Sequence, residues 1–428
     1  MWDDCYERKS LLTPPSASKL CLSISYVITN WLESLPQELI PEILIRLPTK
    51  SLIKFTSVCK SWNSTIKDPK FIRTHTLNLN DRNATHLLLL HAVHCQRYWS
   101  RTEERVQISG FQEDTYSLLH DDTAVSEYRN IELPLVLDKK LINPCFRVVG
   151  TCNGLVLLAD DFGEYGHTIV IWNPSVRKYV TLPKFSTRRK YDASLGLGYD
   201  AIGNDYKVVR LTDHIDECEP DECRSKAQVY SLAKGAWSML RPVPDCFLPD
   251  EFYGLVFVKG ALHWVAAVWT HGEPYPYYFI LTFDVAGETF GKIEFPMRLE
   301  LEDVVDLRLS VSGDRKSIAL FVKCLNFEGG DSFLDIWVMK EYSEEKSWTK
   351  LVALSPQGPE RSLPRAWAFC LKRSGEVILQ LDGSPELVSL DVLSKQFKHL
   401  GISGGEICSV DSFEESLVLL DRNDAVSY

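Results

Sequence analysis

Residues 35–66 read LPQELIPEILIRLPTKSLIKFTSVCKSWNSTI. Apolar residues at Leu35, Leu39, Ile43, Leu44 and Leu47 follow the spacing of one face of an amphipathic helix. Pro36 suits a first helical turn, and Pro41 divides the segment into a short turn over 36–40 and a helix that begins at Pro41. That helix must stop at Leu47, because the residue before Pro48 is pushed out of the helical region. Thr49 is placed to cap a second helix carrying Leu52, Ile53 and Phe55. Ser57 is placed to cap a third helix carrying Val58, Cys59, Trp62 and Ile66, and Asp68-Pro69 opens a last turn around Phe71 and Ile72. A unit this small cannot bury all of these faces within itself, so surplus apolar surface must meet something else.

From residue 77 the period changes. LNLNDRNATHLLLL, IVIWNPSVRKYVTLP, DYKVVRL, AQVYSL, YGLVFVKGALHWVAAV, YFILTFDV, SIALFVK, FLDIWVMK, EVILQL, ELVSLDV and SLVLLD are short β-branched and aromatic runs separated by turn residues. The runs repeat about turn glycines at Gly154, Gly203, Gly260, Gly313 and Gly375, a loose period near the roughly 50 residues of a four-stranded blade. Five units account for residues 145 to 400. THLLLLHAV before them, and EICSV with ESLVLLD after them, are strand-like without an evident partner; if they pair, a sixth blade closes the ring and removes two sheet edges. The alternative is an open or sandwich-like array.

The chain has 428 residues and a net charge of −11, which argues against a general nucleic-acid binder. Twelve cysteines lack framework spacing and read as reduced, buried residues of a cytoplasmic or nuclear protein. Cys218 and Cys223 are followed by no second pair with metal-site spacing, and His91, His94 and Cys95 within LLLLHAVHC read as a strand with mixed faces, so neither a metal nor a cofactor is expected. The first thirty residues carry acidic Asp3, Asp4 and Glu7 where a signal peptide has basic residues, and no apolar run approaches a membrane span. The sequons at Asn63 and Asn83 are therefore expected to stay unglycosylated.

The first stretch resembles an F-box. The family pattern stands here as Leu35-Pro36, Glu42-Ile43-Leu44, Arg46-Leu47-Pro48, Lys50-Ser51-Leu52, Val58-Cys59-Lys60 and Trp62. The resemblance implies docking onto the Skp-type adaptor of a cullin-based ubiquitin ligase, with Leu35, Pro36, Ile43, Leu44, Leu47, Pro48, Leu52, Val58, Cys59 and Trp62 forming the adaptor-binding module. Residues 145–400 resemble the kelch-like F-box-associated domain of plant F-box proteins, most specifically in LDIWVMKEY (334–342) with Ser347-Trp348-Thr349-Lys350. Together these imply a small all-α F-box module over 31–76 and an all-β, kelch-like β-propeller over 77–428, expected to have six blades, behind a poorly ordered extension over 1–30. The implied function is non-catalytic: a receptor that carries a protein substrate to the ligase. An F-box protein outside any ligase, or a propeller that binds a small ligand or is an enzyme, stays open.

No catalytic constellation stands out. Gly401-Ile402-Ser403-Gly404-Gly405 has the spelling of a nucleophile elbow but is flanked by strands only, and reads as an interblade turn. Gly196-Leu197-Gly198 lacks the third glycine and the helix of a dinucleotide loop. Trp172, Trp237, Trp264, Trp337 and Trp348 stand in strands at repeat-related places and read as interblade core. Substrate recognition is expected in loops at the propeller mouth. The candidates are the acidic segment 213–222 with Asp213, Asp216 and Glu217, the segment 268–278 with His271 and Tyr275, and 184–190.

Overall fold

The computed structural model describes residues 38–81, 86–100, 105–133, 146–160, 168–184, 193–212, 226–248, 254–270, 272, 276–297, 304–326, 331–354, 366–381 and 383–428. It divides into two compact units, Met1–His75 and Thr76–Tyr428.

In the first unit, α1 (Leu39–Leu44) runs through Pro41, α2 spans Thr49–Phe55, α3 spans Lys60–Ile66 and α4 spans Pro69–Asp81. Pro41 does not start a helix as expected. It sits within the first turn, where a missing N–H costs nothing because no acceptor precedes it. The caps also shift. Pro48 occupies the position before α2 in extended geometry, leaving Thr49 as its first helical residue. Cys59, not Ser57, precedes α3, its Sγ accepting from the Trp62 N–H at 3.5 Å. Asp68 does cap α4, its Oδ1 accepting from the N–H groups of Lys70 (2.8 Å) and Phe71 (3.1 Å). The expected single turn extends to a 13-residue helix, so LNLND is helical and not the start of a strand. Buried Phe71, Ile72 and His75 carry the helical register past the first turn, and the Leu47 carbonyl, in the turn after α1, meets His75 Nε2 at 2.8 Å.

The second unit is a six-bladed propeller. Blade I holds β1 (Leu87–Ser100), β2 (Arg105–His120) and β3 (Glu127–Ile131). Blade II holds β4 (Arg147–Cys152), β5 (Leu155–Ala159), β6 (Ile169–Asn173) and β7 (Lys178–Thr181). Blade III runs from β8 (Ala193–Asp200) and β9 (Asp205–Thr212) to β10 (Lys226–Ser231) and β11 (Ala236–Leu240). Blade IV runs from β12 (Val256–Val258) and β13 (Ala261–Val268) to β14 (Tyr277–Asp284) and β15 (Thr289–Glu294). Blade V contains β16 (Val304–Val311), β17 (Ile318–Asn326), β18 (Asp331–Met339) and β19 (Trp348–Leu354). Blade VI contains β20 (Ala366–Leu371), β21 (Val377–Leu381), β22 (Glu386–Leu390) and β23 (Phe397–Ser403). Two strands follow: β24 (Ile407–Phe413) and β25 (Val426–Ser427).

β24 pairs antiparallel with β1, from Leu87 opposite Phe413 to Val93 opposite Ile407, and so supplies the innermost strand of blade I. The inner strands β4, β8, β12, β16, β20 and β24 touch in cyclic order. The ring is therefore closed, and the open or sandwich-like alternative falls. ESLVLLD differs from expectation: residues 415–421 form no strand. Leu417 and Leu419 are buried, and the carbonyls of Ser416 and Val418 accept from Asn173 Nδ2 at 3.2 and 2.8 Å in place of a neighbouring strand. The chain then adds β25 outside β7, where the Tyr428 hydroxyl accepts from Trp172 Nε1 at 3.0 Å.

The tryptophans lie between blades. Trp172 is packed in the cluster that joins blades I and II, and Trp264 in that joining III and IV. Trp237 Nε1 donates to Pro183 O (2.8 Å) and Trp348 Nε1 to Glu294 O (3.1 Å), each tying an outer strand to the preceding blade. The repeat is also written in the turns. Asn153, Asn204, Lys259, Arg315 and Gly375 take positive φ between first and second strands, and Arg177, Gly235, Glu288, Ser343 and Lys395 between third and fourth. At two of the turns expected to use glycine for this, Gly203 and Gly313, the neighbouring Asn204 and Arg315 take the left-handed conformation.

Gly154, at φ +77°, is bound tightly, since a Cβ there would stand 2.5 Å from Glu414 O and Ser416 Oγ. Gly154→Ala is expected to lose about 2 kcal/mol or more of stability in urea unfolding, with early proteolysis after residue 413 as the tail is displaced.

Candidate functional site

The helical unit separates the apolar residues of its sequence pattern into two sets. Leu44, Leu52, Trp62 and Ile66 are buried, with Phe55 and Trp62 ring to edge at 5.2 Å. They form the unit's own core and act on a partner only by holding the helices in place. Leu39 and Ile43 are each 43% exposed and Val58 is 40% exposed. Pro48 and Cys59 are exposed and Leu47 is half-buried. Leu39 belongs to the helical rhythm yet is not among the expected adaptor-binding residues; only its exposure marks it. Leu35 and Pro36 lie outside the described residues.

The strands of each blade alternate in direction, so first-to-second and third-to-fourth turns share one rim and the remaining connections open on the other. Thr212 and Lys226 flank the acidic segment, Val268 and Tyr277 the aromatic one, and Thr181 and Ala193 the basic one. All six ends stand at this second rim. Asp213, Asp216, Glu217, His271 and Tyr275 themselves, and Cys218 and Cys223, lie outside the described residues. Trp269, which follows β13 at the same rim, is 64% exposed and stacks on Phe247 at 6.3 Å. Its exposure is not readable from a strand pattern.

The inner strands enclose an axial cavity of about 160 Å³. Arg147, Arg308, Arg315 and Arg373 line it against Asp121 and Asp411. The Arg308 guanidinium lies over the Phe369 ring at 5.0 Å, and Arg315 Nη1 pairs with Glu414. Burial raises the Asp411 carboxyl to about 6, against the opposing pull of Arg308. His86, near the cavity mouth, is held down to about 4 by burial and then by the charges of Arg315 and Arg373. No motif announced these residues, because they come from separate strands and turns that only the ring brings together.

The cluster of His91, His94 and Cys95 is taken up by contacts within the fold. His91 is buried in β1, its Nε2 2.6 Å from Asp114 Oδ1 and its ring stacked on Tyr116 at 4.5 Å. His94 Nδ1 is 3.6 Å from Glu406 Oε2, and the Cys95 N–H donates to the same oxygen at 3.0 Å. Among the described residues no three His, Cys, Asp or Glu side chains come together to hold a metal. Gly401–Ser403 ends β23, and Gly404-Gly405 leads into β24, so the region is an interblade connection without the helix that a nucleophile elbow needs. No described helix is long and apolar enough to cross a membrane.

Residues 32–74 match the F-box domain model, and residues 116–386 match the model of the F-box associated beta propeller domain. Similar proteins in Arabidopsis thaliana include the F-box protein At4g22390, 27% identical with 91% of each chain covered. The F-box protein CPR1 is 27% identical over 86% of this chain and 84% of its own. The F-box/kelch-repeat protein At3g23880 is 27% identical over 75% of this chain and 79% of its own.

The electrostatics of the propeller set its pH response. A carboxyl that titrates near 6 when folded, against 3.8 as its ordinary value, costs stability once ionised, and that cost is present in full above pH 6. Asp411→Asn is therefore expected to stabilise the propeller by on the order of 2 kcal/mol at about pH 7.5 and hardly at all near pH 4. His86 and His263, both lowered to about 4 mainly by burial, act in the opposite sense: their contribution is whole above 6.5 and lost as pH falls toward 4. Urea midpoints of the wild type and Asp411→Asn across this range check both signs.

Proposed function

This chain belongs to the F-box proteins that carry an F-box associated β-propeller domain, and from that premise we propose that it is the substrate-recognition subunit of a Skp–cullin–F-box ubiquitin ligase. An F-box implies binding to a Skp-type adaptor, and the family is generally non-catalytic. The observation that carries the reading is the exposure of Leu39, Ile43 and Val58 above a closed core of Leu44, Leu52, Trp62 and Ile66. Apolar side chains at the surface of so small a unit are the anchors an adaptor covers, and a few such anchors dominate the energy of a standard interface.

The propeller then presents a protein substrate to the ubiquitin-charged enzyme at the far end of the scaffold. No group of this chain does bond chemistry; rate is gained from the raised effective concentration of the target. The second rim, with Trp269 exposed on it, is the substrate-facing end in this reading. Rigid strands hold the connections there, and long connections are free to vary in sequence without disturbing the blades.

Two variants separate the two halves of the proposal. Ile43→Asp/Val58→Asp changes exposed positions and leaves the core intact, so the chain stays folded. It is expected to weaken adaptor binding at least about 30-fold, with cullin lost from co-purified material and any third protein retained. Trp269→Ala is expected to keep adaptor and cullin and to deplete the third protein. Adaptor recovery by the double variant at the wild-type level sinks the adaptor assignment. A third protein unaffected by Trp269→Ala removes that rim residue from substrate binding.

A further inference from the structure

The axial cavity carries polar groups that the fold leaves unused. Arg308 Nε, Arg315 Nη2, Ser409 Oγ and Asp121 Oδ1 all belong to cavity-lining residues, are buried, and have no hydrogen-bond partner among the described residues. A buried donor on a cation that goes unpaired is costly, more so than a neutral one. Each of these donors sits on a side chain that is otherwise fixed. Arg308 rests on Phe369, and Arg315 is anchored through its other nitrogen by Glu414. The free nitrogens are therefore preorganised and not the loose ends of mobile side chains.

The charge balance points the same way. Four arginines line the cavity against Asp121, Asp411 and the Glu414 carboxylate held on Arg315, a local excess of positive charge in a chain whose net charge is −11. Like charges gathered in a confined space repel unless an anion stands among them. The nearby His86, with both ring nitrogens buried and without a partner among the described residues, has its proton affinity depressed in part by Arg315 and Arg373, as a positive field at the mouth requires. The volume sets the size: a cavity of about 150 Å³ accommodates a benzene ring, so one of about 160 Å³ admits a molecule of that order. The six inner strands wall it.

We propose that the propeller axis is a binding site for a small organic anion, a dicarboxylate or a phosphate ester of about single-ring size, held by Arg308 Nε, Arg315 Nη2 and the Ser409 hydroxyl. Arg373 and Arg147 add charge without direct contact being required. Asp121 and Asp411 sit against the bound anion and favour it when protonated. A ligand bound at the axis touches the innermost strands of several blades, so it stabilises the ring as a whole. The site is independent of the receptor reading and stands whether or not the helical unit binds an adaptor.

The test is thermal unfolding and calorimetric titration of the purified full chain with succinate and with inorganic phosphate, against sodium chloride of equal ionic strength. Either anion is expected to raise the unfolding midpoint by a few degrees in a saturable way. Ser409→Ala, which removes one hydroxyl and leaves the fold intact, is expected to weaken binding about tenfold; Arg308→Met is expected to abolish it. Ile43→Asp/Val58→Asp is expected to bind the anion as the wild type does. N-acetylglutamate methylamide serves as a further probe: if it binds while succinate and phosphate do not, the occupant is the acidic side chain of a bound protein and the small-anion proposal is overturned. Shifts no larger than chloride produces for all three probes overturn the proposal. So does binding that Ser409→Ala and Arg308→Met leave unchanged.

Discussion

The ring depends on seven residue pairs between Leu87–Val93 and Ile407–Phe413. A sheet ends in unpaired N–H and C=O groups, and without β24 the first blade would be a strand short, with the inner edge of β1 left unpaired. Here the last strand to be made becomes the innermost strand of the first blade, so the final edge is covered by hydrogen bonds and not by side chains. Closure joins distant positions; the Cys95 N–H meets the carboxylate of Glu406, 311 residues away. Ordering so long a loop is unfavourable until the intervening blades have formed. The closing pair is therefore stable only when the blades between its strands are in place. The tail beyond Phe413 continues the same work on blade II, where Asn173, Lys178 and Trp172 hold successive tail atoms and Gly154 leaves room for it.

Between blades, apolar packing is joined by charges that the fold has taken out of water. Lys207 is almost wholly buried, yet its ammonium donates to Val285 O at 2.9 Å and pairs with Asp200 (3.0 Å) and Glu288 (2.8 Å). It ties blade III to a turn of blade IV. Such a group is worth little as net stability, since desolvation offsets much of the attraction, but it is costly to leave half-paired and so fixes the register of neighbouring blades. His263 does the same between blades IV and V. Its Nδ1–H donates to Val256 O, which leaves Nε2 to accept from the Tyr342 hydroxyl at 2.9 Å. Burial keeps that ring neutral, as this pair of bonds demands. Rigid registers of this kind let one rim carry long connections without transmitting their variation to the core.

Much of this architecture was legible from repetition and period. The glycines at 154, 203, 260, 313 and 375 marked five blades, and the unpaired apolar runs at the two ends foretold the closing pair. What failed were local details that tertiary contacts decide. ESLVLLD has the composition of a strand, but Asn173 offers its carbonyls a side-chain donor, and no sheet position is needed. LNLND alternates like a strand, yet it follows a well-capped helix whose Phe71, Ile72 and His75 are already committed to burial. Ser57 has a better intrinsic capping side chain than Cys59, but its hydroxyl donates to Lys54 O and closes the preceding helix instead. The cavity arginines had no sequence signal, since inward direction is set by blade geometry and not by spacing along the chain.

The helical unit shows why a sequence pattern alone cannot divide a core from an interface. Leu44 and Ile43 are adjacent, equally apolar, and both part of the same motif; one is fully buried and the other is 43% exposed. A helix of six residues has room for a narrow inward stripe only, and that stripe is taken by Leu44, facing a core completed by Leu52, Trp62 and Ile66. Ile43, one position earlier on the helix, is turned by about 100° and must point away. Apolar residues on both sides of a helix are a cost to an isolated monomer. They are stabilising only when a second surface covers the outer set. A partner surface that covers the exposed set would need to be apolar, with room for branched side chains spaced by one helical turn between Leu39 and Ile43.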